Sequence, residues 1–285
     1  MDQSIPEATR AAAARAEPVT APINYVARTA VRPRYYANDH SRDVLTIEPH
    51  PMPIADARLA AQAPTLDREG FTLVGHRSEI ADFRDAAAVA AVHPGEIRRL
   101  LLELTGADEV VVNGSGILRF GERSADSGRL NNSLPARFAH IDISDPTAET
   151  FAAASAPEGR AIRRRCHYNV WRSFSGAPQD VPLALCDART LAAADLIEAD
   201  AIFDPPAGAP EWSFEGLVIA HNPAHRWLYF RNMTRDEAIV FKTNDSDRTF
   251  AHHVPHVAFD DPGCPPDVPP RASIEMRVVA YWFEG

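Results

Sequence analysis

Proline interrupts this chain throughout its length. The 285 residues include 24 prolines, which are scattered rather than clustered, and only 14 glycines. Because proline fixes φ and has no backbone N–H, it ends helices and is confined to the ends and edges of strands. The sequence therefore predicts many short elements joined by turns, and it favours strands over helices.

From residue 107 onward, strand-like segments recur, and most are bounded by Gly, Pro, Asn or Asp. Many combine β-branched with aromatic residues, as strands do. Their number and short connections indicate a mainly β barrel or sandwich rather than a doubly wound α/β fold. The predicted strands are Glu109–Asn113, Ala139–Ile143, His167–Phe174, Leu183–Asp187, Ser213–His221, Trp227–Arg231, Ala238–Lys242, Val254–Phe259 and Ile274–Phe283.

Two segments have the pattern of helices. One starts at the signal Pro94-Gly95-Glu96, carries apolar residues at helical spacing between Ile97 and Leu104, and ends before Gly106. The other, Asp145–Ala154, begins with Asp-Pro and is rich in Ala, Thr and Glu. We expect the first helix to pack outside a sheet.

No composition shift marks a domain boundary, so we expect a single domain over residues 1–285. Within it, we expect residues 1–20 to form a short helix or to be disordered. Residues 21–106 would be an N-terminal extension packed on the barrel, and residues 107–285 the barrel core. The polar segment 113–135 has two interpretations, a lid over a site and a mobile surface loop.

Charge and cysteine content limit the partners. Acidic residues outnumber basic ones, 39 to 29, and the net charge of −10 makes nucleic acid an unfavourable partner. Three widely separated cysteines form no disulfide framework, so we expect a reducing, cytoplasmic location. No signal peptide and no 18-residue apolar run is present, which argues against a membrane. The oligomeric state is not predicted.

Three residue types that bind metals occur in a suggestive order. On a strand, residues i and i+2 point to the same face, so His140 and Asp142 can project together. A later histidine follows, and His252, His253 and His256 are the candidates. Two imidazoles and one carboxylate can bind one face of Fe(II) and leave the opposite face open. The alternative for the first pair is a surface or capping role.

Polar residues alternate on the last strand-like run. Arg271, Ser273, Glu275 and Arg277 would share one face, which needs partners if it is buried. Arg271 could pair bidentately with the distal carboxylate of 2-oxoglutarate, with a further hydrogen bond from Ser273. The alternative is an exposed edge strand, against which the aromatic run Tyr281–Phe283 argues.

At these residues the sequence resembles the hydroxylase/desaturase family of non-heme Fe(II)/2-oxoglutarate-dependent oxygenases. The C-terminal matches are the most specific, because they resemble Pro-His-x-Ala-Phe and Arg-x-Ser-Ile-Glu-x-Arg. The similar segments are Leu66–Phe71, Asn169–Arg172, Pro182–Asp187, Trp227–Phe230, Asp236–Lys242, Asp245-Ser246, Pro255–Phe259 and Arg271–Arg277.

The resemblance implies a double-stranded β-helix, the jelly-roll or cupin-like barrel, with flanking N-terminal helices. It also implies that His140, Asp142 and His256 bind Fe(II), and that Arg271 and Ser273 bind 2-oxoglutarate. With O₂, such an enzyme hydroxylates or desaturates a small molecule, here in secondary or amino-acid-derived metabolism.

Further residues should line the barrel or its mouth and contact the substrate or the ligands. For the aromatic ones the alternative is core packing. These candidates are Asn169, Trp171, Arg172, Trp227, Tyr229 and Arg277.

Two other functions remain open on the sequence. The barrel could bind metal without catalysis, as an accessory to a partner enzyme. It could also act without 2-oxoglutarate, in which case Arg271 would bind a carboxylate of the substrate itself.

Overall fold

The computed structural model describes residues 17–205 and 209–285. The predicted short helix or disordered segment at residues 1–20 therefore lies almost entirely outside the described residues. In chain order the strands are β1 (Val19–Val26), β2 (Arg34–Tyr36), β3 (Ile47–Asp56), β4 (Phe71–Gly75), β5 (Glu109–Phe120), β6 (His140–Ile141), β7 (Ile162–Ser173), β8 (Leu183–Cys186), β9 (Leu196–Phe203), β10 (Trp212–Ile219), β11 (Trp227–Tyr229), β12 (Glu237–Asp245), β13 (His256–Ala258) and β14 (Ala272–Phe283).

These strands form two curled sheets. The larger sheet has nine strands in the order β1-β3-β11-β8-β13-β6-β10-β9-β2, and the smaller has five in the order β4-β12-β7-β14-β5. Neighbouring strands are antiparallel except for the pairs β3–β11 and β2–β9. The prediction of a mainly β protein is therefore confirmed.

The nine strands predicted from the sequence are all present, although their lengths differ. The largest difference is in β5, which was expected to end at Asn113 and continues to Phe120. Gly116 makes this possible, since its φ is +112° and a Cβ there would lie 2.8 Å from the side chain of Ile274 on β14. The segment 113–135 thus begins as a paired strand and not as a loop.

The N-terminal segment 21–106 does more than pack on the barrel. It supplies most of β1 and all of β2 and β3 to the nine-stranded sheet, and β4 to the five-stranded sheet. Strand β3 was not predicted from the sequence because Pro49, Pro51 and Pro53 lie within it. These prolines are tolerated because only β1 pairs with that part of β3, while β11 pairs from Ile54 onward.

Two α-helices occur among the described residues, α1 (Ala86–Thr105) and α2 (Asp145–Ser155). The prediction of α2 is confirmed, whereas α1 begins earlier than its predicted start at Pro94. Asp85 caps α1 by accepting two N–H groups of its first turn, and the alanine-rich sequence that follows favours a helix strongly enough to include the proline. As predicted, Gly106 ends α1 in the left-handed conformation.

Several flanking N-terminal helices were expected. Within residues 21–106 the structure describes one α-helix, α1, because α2 lies between β6 and β7. Neither helix is long and apolar enough to span a membrane within residues 17–205 and 209–285.

Apolar side chains fill the space between the two sheets. The nine-stranded sheet contributes Leu183, Leu185 and Leu228, and the five-stranded sheet contributes Trp171, Ile239 and Phe241. Outside the five-stranded sheet, Ile97 and Leu101 of α1 pack in a separate cluster, as expected for a helix on the outer face. The polar residues described next lie between the sheets, beside the first of these clusters.

Candidate active site

His140, Asp142 and His256 come together between the sheets. His140 on β6 is the cross-strand partner of His256 on β13, so the sheet itself places the two rings side by side. The Asp142 Oδ1 atom lies 3.4 Å from His140 Nε2 and 3.5 Å from His256 Nε2. All three side chains are buried. Ile141 points to the opposite face and is buried in a different apolar cluster, as the alternation of strand residues predicts.

The hydrogen bonds of the two imidazoles define which nitrogen is free. His140 Nδ1 lies 3.0 Å from the Phe138 carbonyl oxygen, and His256 Nδ1 lies 3.2 Å from the Val254 carbonyl oxygen. A carbonyl only accepts, so each Nδ1 carries the proton and each Nε2 presents a lone pair to Asp142. Metal-binding histidines are usually held in this way. Two lone pairs and a carboxylate at such distances need a cation between them.

The two oxygens of Asp142 have different partners. Oδ2 accepts a 2.7 Å hydrogen bond from Asn169 Nδ2 and lies 3.3 Å from Arg277 Nη2, while Oδ1 faces the imidazoles. Burial by itself raises the pKa of Asp142, but the Arg277 guanidinium lowers it, and the pKa of this carboxyl lies well below its usual range. The carboxylate is therefore ionised, and its Oδ1 atom is left for a cation.

A small cavity beside the histidines contains a buried guanidinium. Arg271 is 2% exposed, and its Nε and Nη1 donate to Ser273 Oγ at 3.1 Å and to the Val181 carbonyl at 3.1 Å. Among the residues that the structure describes, no carboxylate forms an ion pair with it. Burial and the nearby Arg119 lower the pKa of Arg271 to about 9. A buried cation without a counter-ion is costly, and a bound acid would stabilise it.

The cavity of Arg271 also borders the metal ligands. His140, His256 and Trp171 line it together with Arg271 and Glu275. The Trp171 Nε1–H is buried and has no hydrogen-bond partner within the described residues, so it is a further donor for a ligand. The candidate metal ligands are thus next to a candidate site for an acid.

Two larger cavities also border Asp142. Their volumes are about 300 Å³ and about 400 Å³, and both are lined by Asp142, Arg277 and Phe214. Aromatic side chains make up about half of the apolar part of their walls, which fits an apolar small molecule. These aromatic residues are Tyr35, Tyr36, Phe138, Phe151, Tyr168, Phe203, Trp212 and Phe214.

The structure brings most of the predicted residues together. Asn169 and Arg277 contact Asp142, Trp171 lines the cavity of Arg271, and Ser273 accepts from the Arg271 side chain. Glu275 lies on the same face and lies 3.4 Å from Arg277.

Three predicted residues are elsewhere, and these predictions are corrected. Arg172 points to the opposite face of β7 from Trp171 and donates to the carbonyls of His76 and Arg235. Trp227 and Tyr229 lie in the apolar cluster on the other face of the nine-stranded sheet, because Leu228 between them faces the five-stranded sheet. Their aromatic rings fill a core, which was the alternative interpretation.

Arg119 also lies at the site, although it is not one of the predicted ligand, cosubstrate or substrate residues. It lies between the cavity of Arg271 and one of the larger cavities, and its Nη1 donates to the carbonyls of Asn132 and Leu134. It is the cross-strand partner of Ser273 on β14. The alternation of side chains on β5 would have placed Arg119 at the site. It could not be applied because the strand was predicted to end at Asn113, before Arg119.

The chain is similar to known oxidoreductases. The sequence matches the family described as oxidoreductase/YMDC permease-like domain over residues 21–281. It is 30% identical over 235 residues to the hydroxylase/desaturase CTB9 of Cercospora beticola, covering 76% of this chain and 72% of that protein. It is 27% identical over 242 residues to the Fe(II)/2-oxoglutarate-dependent dioxygenase nvfI of Aspergillus novofumigatus, covering 82% and 84%.

A solved structure shows the same fold. The iron and alpha-ketoglutarate-dependent endoperoxidase NvfI superposes with a TM-score of 0.79 at 24% sequence identity, over 94% of this chain and 99% of that chain. The predicted fold class, a mainly β jelly-roll barrel, is thereby confirmed.

Proposed function

Because the chain belongs to the hydroxylase/desaturase family of Fe(II)/2-oxoglutarate-dependent oxygenases, we propose that His140, Asp142 and His256 bind the Fe(II) with which it oxidises a small molecule. The enzyme uses Fe(II), 2-oxoglutarate and O₂. When bound, these supply an oxidative decarboxylation that yields succinate and CO₂ and oxidises a C–H bond.

The residues fit this metal. Two neutral imidazoles and one oxygen of a carboxylate are the donor set of non-heme iron sites with open positions. In this chain the Phe138 and Val254 carbonyls orient the two rings, and Asn169 and Arg277 orient Asp142. The chain would thereby supply three ligands to Fe(II) and leave the remaining coordination positions to the cosubstrate and O₂.

The observation that carries the proposal is the buried guanidinium of Arg271 without a carboxylate partner among the described residues, in the cavity that His140 and His256 also line. Arg271 would pair with the distal carboxylate of 2-oxoglutarate, and Ser273 would hold the guanidinium through the 3.1 Å hydrogen bond from its Nε. A dicarboxylate would suit both groups because Arg271, His140 and His256 line one cavity, so that one end would pair with the arginine and the keto acid end would face the histidines.

The substrate would lie in the larger cavities. Their partly aromatic walls favour a molecule with an apolar surface, placed beside Asp142 and Arg277. Because Asp142 would be the third protein ligand of the metal, no position would be left for a halide, so hydroxylation or desaturation is favoured over halogenation.

A non-catalytic or 2-oxoglutarate-independent accessory role has less support. The relatives are named as enzymes, and the chain retains three metal-binding side chains as well as Arg271. A protein freed from catalysis would have no reason to keep a costly buried arginine beside them.

We propose further that residues 21–285 form one oxygenase domain that works in the cytoplasm without a nucleic acid partner. The family match over residues 21–281 supports the domain extent. The three cysteines are free, which suits a reducing compartment. The net charge of −10 is unfavourable for binding a phosphate backbone.

Succinate release tests the proposed function. Protein supplied with Fe(II), 2-oxoglutarate and O₂ should release succinate, slowly even without substrate. Asp142→Ala should lower the rate by roughly 100-fold or more, because it removes a ligand. Asp267→Ala, a change of the same type at an exposed position, should leave the rate unchanged. Wild-type activity in Asp142→Ala, or turnover that does not require 2-oxoglutarate, would contradict the proposal.

A further inference from the structure

A second group of metal-binding side chains lies outside the site described above. Asp145 begins α2, while His252 and His253 lie in the segment that leads into β13. The Asp145 Oδ1 atom lies 2.8 Å from His252 Nε2 and 3.2 Å from His253 Nε2. The three ligand atoms lie within 4.8 Å of one another.

His252 is oriented as the histidines of the first site are. Its Nδ1 lies 2.6 Å from the Asp245 carbonyl oxygen and therefore carries the proton in the neutral ring. Its Nε2 lone pair then faces the Asp145 carboxylate, an arrangement that is repulsive unless a proton or a metal ion lies between them. His253 is 5% exposed, and burial lowers its pKa, which favours its neutral form.

The two carboxylate oxygens of Asp145 have different partners, as those of Asp142 do. Arg248 contacts Oδ2, just as Arg277 contacts Oδ2 of Asp142, and Oδ1 is left to the two imidazoles. The Asn244 amide lies 2.7 Å from Oδ1 and 3.3 Å from His253 Nε2. If that amide is turned by 180°, its oxygen becomes a fourth donor, and the two orientations are alike in shape.

We propose that Asp145, His252 and His253 bind a second divalent transition metal ion, with Asn244 as a fourth donor. Imidazole and carboxylate together suit zinc, cobalt, nickel or iron more than magnesium or calcium. The ion would link the start of α2 to the segment before β13. Asp145 is three residues from Asp142 and His253 is three residues from His256, so this link would hold both chain segments that carry ligands of the first site.

Metal stoichiometry tests the proposal. Full-length protein stripped of metal is dialysed to equilibrium against Zn²⁺, and bound zinc is measured per chain. Wild type should bind about two ions, since each folded site holds one. His140→Ala and His253→Ala should each bind about one ion, and the double variant should bind almost none. His50→Ala, which alters a partly exposed histidine in neither site, should bind as wild type does.

The outcomes separate the two sites. One ion in wild type that is lost in His140→Ala but kept in His253→Ala would overturn the second site, and the cluster would then be an ion pair between Asp145 and a protonated His252. One ion that shows the reverse pattern would instead overturn the first site.

A further variant distinguishes loss of metal binding from loss of folding. Asp145→Asn keeps the size of the side chain and leaves the Ser144 cap of α2 in place, so it should retain the circular dichroism of wild type and lose one Zn²⁺. With Co²⁺, wild type should show visible absorption from both sites, and Asp145→Asn only that of the first site. Unchanged absorption in a folded Asp145→Asn would overturn the proposal.

Discussion

At the scale of single residues, the two carboxylate oxygens of Asp142 have different partners, and this difference defines the site. One oxygen faces the two imidazoles, and the other is held by Asn169 and Arg277. A carboxylate fixed in this way can bind a metal through one oxygen without losing rotational freedom at the moment of binding. We therefore expect Asn169 to affect metal binding through Asp142.

Asn169→Ala should weaken Fe(II) binding by about 10- to 100-fold, the effect usual for a residue that orients a ligand. Affinity can be measured by anaerobic titration. Asn222→Ala, which removes a similar amide-to-carboxylate hydrogen bond at Asp195, should bind Fe(II) as wild type does. Equal affinities in all three proteins would show that the contact with Asp142 does not matter.

The sequence predicted which residues of a strand share one face, but not which face of the strand lies between the two sheets. Alternation correctly grouped His140 with Asp142, and Arg271 with Ser273 and Glu275. It could not show that Trp227 points away from the site, because a strand buried on both faces has apolar residues at every position. That choice depends on where the second sheet packs.

At the scale of elements, close packing of β10 on β6 positions Asp142. Gly216 on β10 is buried, and a Cβ there would lie 2.8 Å from the Asp142 carbonyl oxygen and 2.8 Å from Tyr35 Oη. A backbone oxygen cannot move aside as a flexible side chain can. Glycine is thus needed at position 216 because the backbone of Asp142 lies so close, and not because the chain turns there.

Gly216→Ala should force β6 away from β10, lower the free energy of unfolding by about 1–3 kcal/mol and weaken Fe(II) binding. Chemical denaturation and metal titration measure the two effects. The control is Gly75→Ala, at a strand glycine where the added Cβ would have no atom of the described residues within 4 Å. It should change neither the stability nor the Fe(II) affinity by a comparable amount. Wild-type stability and affinity in the Gly216→Ala variant would contradict this account of the packing.

Elements with strong local signals were predictable, and those stabilised by tertiary pairing were not. The nine predicted strands and α2 carry β-branched, aromatic or capping residues. By contrast, β3 contains alternate prolines, and it exists because β1 pairs along its length. The start of α1 was misplaced because Pro94 gave a stronger local signal than the cap at Asp85.

At the scale of the whole molecule, buried neutral histidines should make stability depend on pH. His167 on β7 is buried, and its Nε2 donates at 2.9 Å to the Ala148 carbonyl of α2, so it joins that helix to the five-stranded sheet. Burial lowers its pKa from 6.5 to about 4. Below pH 6.5 the unfolded chain gains a proton that the folded protein does not bind, so this stability is lost as the pH falls toward 4.

Between pH 6.5 and pH 4, wild type should lose up to about 3 kcal/mol more stability than His167→Gln, which keeps a donor but does not titrate. Denaturant unfolding at a series of pH values measures this difference. Parallel curves for the two proteins would contradict it.

Binding of 2-oxoglutarate tests the central claim most directly. Under anaerobic conditions, Fe(II) and 2-oxoglutarate should give wild type the weak visible charge-transfer band of the chelate. Arg271→Ala should need roughly 100-fold more 2-oxoglutarate for the same band, because a buried charge loses its partner. Arg163→Ala, at an exposed arginine, should titrate as wild type does. A band in Arg271→Ala at wild-type concentrations of 2-oxoglutarate would contradict the account.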